Sequence, residues 1–185
     1  IYTIIACFIK PKKFPEAPFH RYALLVAARN EKNVISQLIE SAKNQTYPSE
    51  MYDIYVVADN CTDETAEIAR NAGAIVFERS DTENVGKGFA LDFLFQKIFG
   101  EKGNEYYDGY FIFDADNLLD KNYIYEMNKV FSSGYEIITS YRNSKNYDSS
   151  WVSAGYSLGF LRDAKFLHNA RMIVNSGSVI SGTGF

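Results

Sequence analysis

Short, unbroken apolar runs recur along this chain, and between most of them lies a stretch patterned for a helix. The runs are YALLVA at 22–27, IYVVA at 54–58, AIVF at 74–77 and YFIF at 110–113. A brief run without polar alternation fits a strand covered on both faces. After the first run, Val34, Ile35, Leu38, Ile39 and Ala42 recur at helical spacing, predicting an amphipathic helix from Glu31 to about Gln45 that Tyr47-Pro48 ends. Residues 62–72 (TDETAEIARNA) predict a second helix, capped by Thr62, with acids in its first turn and Gly73 after its end. Phe89 to Phe99 is apolar nearly all round, the pattern of a buried helix. Tyr123, Ile124, Met127, Val130 and Phe131 form a further helical stripe, closed by Gly134, before the apolar run 137–139. Strands alternating with helices at these lengths imply right-handed crossovers. The expected class is therefore α/β, a mostly parallel sheet with helices on both faces.

The 185 residues, 46% of them hydrophobic, suffice for one domain with a sizeable core. A net charge of -4 argues against a general nucleic-acid surface, which needs clustered Lys and Arg. Cys7 and Cys61 lack CxxC spacing, so neither a disulfide framework nor a zinc site is indicated. At the N-terminus IYTIIACFI is nine residues long, far short of the ~20 that span a bilayer. A strand or a packing arm accounts for it equally well. Lys10, Lys12 and Lys13 follow around Pro11, like the positive cytoplasmic flank of a transmembrane helix. The expectation is a piece of a longer membrane protein, itself soluble, whose parent works at the cytoplasmic face of the cell membrane. Residues 142–150 are polar and predict a loop, and 151–174 have a helical periodicity confused by Gly155 and Gly159. SGSVISGTGF then reads either as backbone that approaches a ligand closely or as a flexible terminus.

In an open parallel sheet, ligands gather at the carboxyl ends of the strands. Three expected strands end there in polar residues: Ala28-Arg29-Asn30-Glu31, Asp59-Asn60-Cys61-Thr62-Asp63 and Asp114-Ala115-Asp116. If the backbone stays extended past Phe113, Asp114 and Asp116 point to one face and can share a hard cation, Mg²⁺ or Mn²⁺, with open positions for a diphosphate. Their alternative role is capping the helix near Lys121, although Asp120 already serves there. Asp59 suits an N–H of a pyrimidine ring and Arg29 suits phosphate; a turn residue and a solvated side chain explain them equally well. Lys87, between Gly86 and Gly88, suits a cation brought close to phosphate by a tight turn. It does not belong to a Walker loop, because Asp81 and Gly88 stand where Gly and Ser or Thr are required. His20 and His168 have no ligand-spaced partners, and Trp151 fits either a sugar face or the core. No GxSxG or catalytic Cys-His signature is present.

Taken in order, VAARNE (26–31), VVADNCTDET (56–65), NVGKGFAL (84–91) and FDADN (113–117) resemble the family-2 glycosyltransferases of the GT-A, Rossmann-like fold. The likeness covers about residues 22–140, with a weaker continuation to SGTGF. It implies a nucleotide-sugar-binding core over 21–140, preceded by an arm at 1–20. Residues 141–185 would then be a loop, a helix and the Gly-rich start of the donor and acceptor region. It implies inverting transfer from a nucleotide diphosphate sugar, UDP by family habit, to a saccharide or lipid-linked acceptor. Carried over by residue, Ala28, Arg29 and Glu31 would line the nucleotide wall, Asp59 the base, Lys87 the base or diphosphate, and Asp114 and Asp116 the metal. Many members have Pro where this chain has Ala28. The family's general base follows the segment that SGTGF resembles, and no acidic residue follows Asp163, so the base is expected beyond Phe185 and little transfer from the isolated 185 residues. Two alternatives remain: a sugar-phosphate nucleotidyltransferase, disfavoured because VAARNE lacks glycine, and a non-catalytic nucleotide-binding module.

Overall fold

A computed structural model describes residues 12–142, 148, 150–168, 171–172 and 182–185. The apolar N-terminal run with Cys7 and Lys10, most of the 142–150 loop and residues 173–181 of the C-terminal stretch lie outside the described residues. The chain divides into two compact units, one of residues 16–138 with 182–185, the other of the described residues among 1–15 and 139–181.

The first unit is built on strands β1 (Tyr22–Ala28), β2 (Tyr52–Asp59), β3 (Ile75–Arg79) and β4 (Gly109–Asp114). Helices α1 (Ile35–Lys43), α2 (Thr65–Ala72) and α3 (Lys87–Lys102) connect them, and α4 (Tyr123–Phe131) follows. All strand pairs are parallel, in the order β3-β2-β1-β4. The chain steps outward from β1 to β3 and then crosses back to lay β4 on the other side of β1. That reversal opens a crevice at the carboxyl edge between β1 and β4. Both faces of β1 are buried, as its unbroken apolar run requires. Tyr22, Leu24, Val26 and Ala28 pack with α1, α2 and α4, whereas Ala23 and Leu25 pack with α3.

Three helix details differ from expectation, and the apolar run 137–139, assigned to no element above, is placed. The first helix begins at Ile35, because the Glu31 carbonyl accepts from the N–H groups of both Val34 and Ile35 and holds 31–34 as a turn. The third helix is buried along one stripe only, Ala90, Leu94 and Ile98, while Phe89 is 52% exposed. A helix on an open sheet presents one face to it, and Phe95 and Phe99 flank that face by packing against Tyr110 of the edge strand β4. Residues 137–139 form no strand, and Ile137 is exposed. Asp120 does not cap α4; its carboxylate accepts from the Asn122 N–H, making a local turn before the helix starts.

At the amino edge, buried Asn128 on α4 satisfies several groups at once. Its Oδ1 accepts from the hydroxyls of Tyr22 (2.8 Å) and Tyr47 (3.0 Å) and lies 3.1 Å from His20 Nδ1, while its Nδ2 donates to the Pro18 carbonyl. Burial raises the Tyr47 phenol to about 12. His20 is thereby a satisfied structural residue. Gly109 leaves room beside this cluster, because a Cβ there would sit 3.0 Å from the Tyr22 ring and press on it.

The second unit contains α5 (Trp151–Arg162), whose first turn is capped by the Ser150 hydroxyl, and a π-helical turn at Asp163–His168. Trp151 is exposed, not core. Among the described residues no helix is long and apolar enough to cross a membrane.

The stripe on α3 makes one prediction. Leu94 is fully buried against the sheet, so Leu94→Ala should cost about 2–5 kcal/mol through lost burial and the cavity left behind. Urea unfolding followed by circular dichroism measures it.

Candidate functional site

The register places the polar strand ends at one edge. Ala28 faces Ala58, Ala27 faces Asp114, and Asp59 faces Arg79. The loop after β1 and the loop after β2 are stitched together. Asn30 Oδ1 accepts from the Thr62 N–H at 2.8 Å, the Cys61 thiol donates to the Ala28 carbonyl, and the Glu31 N–H donates to buried Thr65 Oγ1 at 2.8 Å. Desolvation pushes the Cys61 thiol upward, keeping it a neutral packing group. Asn30 and Asn60 hold left-handed backbone (φ 57° and 52°), a strain tolerated here by side-chain bonds across the loops.

Thr62 is not the cap of α2. The helix starts at Thr65, and Asp63 Oδ1 accepts both the N–H and the hydroxyl of Thr65 while Thr62 engages Asn30. The Thr65 hydroxyl, before any other cause, holds the Asp63 carboxyl below its ordinary value of 3.8. Asp81 is likewise lowered, first by the Asn84 N–H. A depressed carboxyl contributes stability above its unfolded pKa, and that contribution disappears as pH falls through the folded value. Stability should therefore drop on acidification below 3.8, and less steeply in Asp63→Asn. Urea midpoints measured between neutral and strongly acid pH test this.

Asp59 is nearly buried, its side chain 7% exposed, and its Oδ1 accepts from Arg79 Nη1 at 2.6 Å and from Asn60 Nδ2 at 3.2 Å. Among the described residues no donor reaches its Oδ2. Arg79 is as buried, and its Nη2 donates to Asp81 Oδ2 and to the Asn84 carbonyl, both at 2.8 Å. The sequence reading missed this arginine because it ended the third strand at Phe77. β3 in fact runs to Arg79, and a charged residue ending a strand of a parallel sheet was the available signal.

Lys87 is the first residue of α3, entered through Gly86 at φ 137°, a backbone conformation that favours glycine. Its Nζ meets Asp114 Oδ1 at 2.6 Å and also donates to the Gly182 carbonyl. The backbone stays extended through Asp114, the last residue of β4, and no further. It turns at Ala115-Asp116, closed by the Asn117 N–H on the Asp114 carbonyl at 3.1 Å, so the two carboxylates occupy the first and third positions of a turn. Thr183 fastens this turn from a distant part of the chain. Its buried hydroxyl accepts from the Asp114 N–H at 2.8 Å and donates to Asn117. Phe185 and Gly184 add backbone hydrogen bonds to Ile112.

The structure thus joins Lys87 to Asp114 directly and sets Asp116, exposed, two residues on. Ala28 is buried at the end of β1, Glu31 is half-buried in the stitched loops, and Arg29 is exposed with no polar partner among the described residues. For a hard cation the donor set fits: two carboxylates on a solvent-facing turn supply anionic oxygen, and Asp114 is 45% exposed. No cluster of three or more His, Cys, Asp or Glu that could hold a metal occurs among the described residues. Any cation would complete its shell with ligand oxygens and water.

A four-stranded parallel sheet flanked by helices, with polar strand ends gathered at its carboxyl edge, is the architecture this chain shares with glycosyltransferases of the GT-A fold. Residues 20–183 match the family described as glycosyltransferase-like family 2, and the chain belongs to it. It is 32% identical over 111 residues to a beta-monoglucosyldiacylglycerol synthase of Nostoc sp., covering 55% of this chain and 23% of that protein. It is 35% identical over 79 residues to the low-salt glycan biosynthesis hexosyltransferase Agl6 of Haloferax volcanii, covering 43% of this chain and 18% of that protein. Among solved structures, the mannosyltransferase PcManGT of Pyrobaculum calidifontis, in complex with GDP-Man and Mn²⁺, superposes with a TM-score of 0.60 at 19% identity, covering 77% of this chain and 42% of that one. TarS 1-349 of S. aureus in complex with UDP gives 0.52 at 18% identity, covering 68% and 37%. The matched part spans about a quarter or less of the length of these curated relatives.

Proposed function

We propose that this chain is the donor-binding part of an inverting glycosyltransferase that moves a hexose from a nucleotide diphosphate, UDP foremost, to a saccharide or lipid-linked acceptor. The observation that carries this reading is the ion pair of Lys87 with Asp114 on the Asp114–Asp116 turn, beside a strand-end aspartate with one oxygen open. Asp114 and Asp116 would hold Mn²⁺ or Mg²⁺, which when bound would supply positive charge against a departing diphosphate. Lys87 supplies a second positive charge at the same place and is fixed there by Asp114 and the Gly182 carbonyl. Asp59 receives a ring N–H of the base through Oδ2, Arg29 reaches for phosphate, and Ala28 and Glu31 form the wall between them. The relatives support this reading: one is a beta-monoglucosyldiacylglycerol synthase, and one structural neighbour is in complex with GDP-Man and Mn²⁺. A lipid-linked acceptor also supports work by the parent protein at the cytoplasmic face of the cell membrane.

Calorimetric titration of the chain with UDP-, GDP- and dTDP-sugars, with and without Mn²⁺, tests the reading. Binding that requires the metal is expected. Metal-independent binding of equal affinity would remove the assignment of the aspartate turn.

A further inference from the structure

Arg79, the buried ion-pair partner of Asp59 at the ends of β2 and β3, is not used by any step above, and it holds the residue that reads the base. We propose that Arg79 is a positioning residue that sets base specificity, by leaving Asp59 a single free oxygen and by tying that aspartate to the loop leading into Lys87. The inference rests on the donor-binding reading and deepens it.

Three observations carry it. First, Asp59 Oδ1 is filled, with Arg79 Nη1 at 2.6 Å and Asn60 Nδ2 at 3.2 Å, whereas no described donor reaches Oδ2. A carboxylate held this way offers one acceptor to a ligand. That matches the lone imino N–H of uracil or thymine. Guanine presents adjacent ring and exocyclic N–H groups, which two free carboxylate oxygens would serve better. Second, the arginine has little freedom, with 8% of its side chain exposed, and its planar guanidinium spreads its two arms between Asp59 Oδ1 and Asp81 Oδ2, holding the filled oxygen of Asp59 in place. Third, the other arm of the guanidinium bonds Asp81 Oδ2 and the Asn84 carbonyl, and Asp81 in turn accepts from the Glu83 and Asn84 N–H groups. Asn60 closes the ring, its side chain bonding both the N–H and the carbonyl of Asp81. One guanidinium therefore connects the base reader to the segment that delivers Gly86 and Lys87.

The test measures Mn²⁺-supported dissociation constants of the whole chain for UDP, N3-methyluridine diphosphate, GDP and inorganic pyrophosphate. Wild type, Arg79→Lys and Asp81→Asn are compared. Lysine keeps the charge but not the fork, and Asp81→Asn removes the charged partner of the outer arm, which loosens the tie to the loop and leaves the pair with Asp59 in place should the first variant fail to fold. Wild type should prefer UDP to its N3-methyl analogue by at least about tenfold, the worth of one hydrogen bond to a charged group. In a folded variant that preference should shrink to about threefold or less, with UDP also losing ground to GDP, while pyrophosphate affinity stays within about twofold. An unchanged UDP preference in the folded variants would overturn the proposal. So would a parallel loss of pyrophosphate affinity, which marks a merely structural arginine. Wild type that binds pyrophosphate but no nucleotide, or nothing at all, would overturn the donor-binding reading itself and this inference with it.

Discussion

Asp116→Asn is expected to lower the Mn²⁺-dependent affinity for a UDP-sugar by about 100-fold or more, since loss of an outer-shell partner alone costs 10–100-fold at metal sites. Asp116 is exposed on the turn, so the variant should keep its urea midpoint. Calorimetry with and without Mn²⁺ reads the effect as loss of the metal-dependent part of binding. The neighbouring Asp114→Asn should behave differently. Asp114 is paired with Lys87, and its removal frees the lysine while it weakens the metal site, so binding without metal should change as well. Equal behaviour of the two variants would contradict the distinct surroundings of the two carboxylates.

The largest stability effect is expected at Arg79. Arg79→Met strands Asp59 at 7% side-chain exposure with its charge unpaired. Breaking one side of a buried pair costs about 3–5 kcal/mol. Urea unfolding should show the loss, and the double variant Arg79→Met with Asp59→Asn should recover part of it, because no buried charge then remains without a partner. A loss below about 1 kcal/mol, the worth of an exposed pair, would mean that solvent reaches Asp59 freely.

How far the sequence led is best judged at particular residues. The strands were legible because strands buried on both faces, like β1, must be apolar without alternation, and their polar ends then had to collect at one edge. Asp59, Asp114 and Asp116 could be nominated on that ground, and Lys87 from the glycines on either side of it. Helix starts were not legible at Thr62 and Asp120, because Ser, Thr and Asp can bond nearby N–H groups in turns as well as in caps. At Asp63 the carboxylate held Thr65 inside such a turn, and Thr62 was drawn to Asn30. The exposure of Phe89 was hidden because an aromatic all-round pattern does not say which face meets the sheet. Arg79 and Thr183 owe their places to contacts far along the chain, the one through the β2–β3 register, the other through a bond to the Asp114 turn. No local pattern encodes the Thr183 contact, whereas Arg79 could be read only as the charged end of a strand, with its partner unknown.

The central claim is that the Asp114–Asp116 turn holds a divalent cation against the diphosphate of a nucleotide. Mn²⁺ broadening of the ³¹P resonances of UDP, in the presence of substoichiometric wild-type chain and then of Asp116→Asn, tests it most directly. The account predicts strong, protein-dependent broadening of both phosphorus signals with wild type and broadening no greater than that of Mn²⁺-UDP alone with the variant. Identical broadening by the two proteins would contradict it.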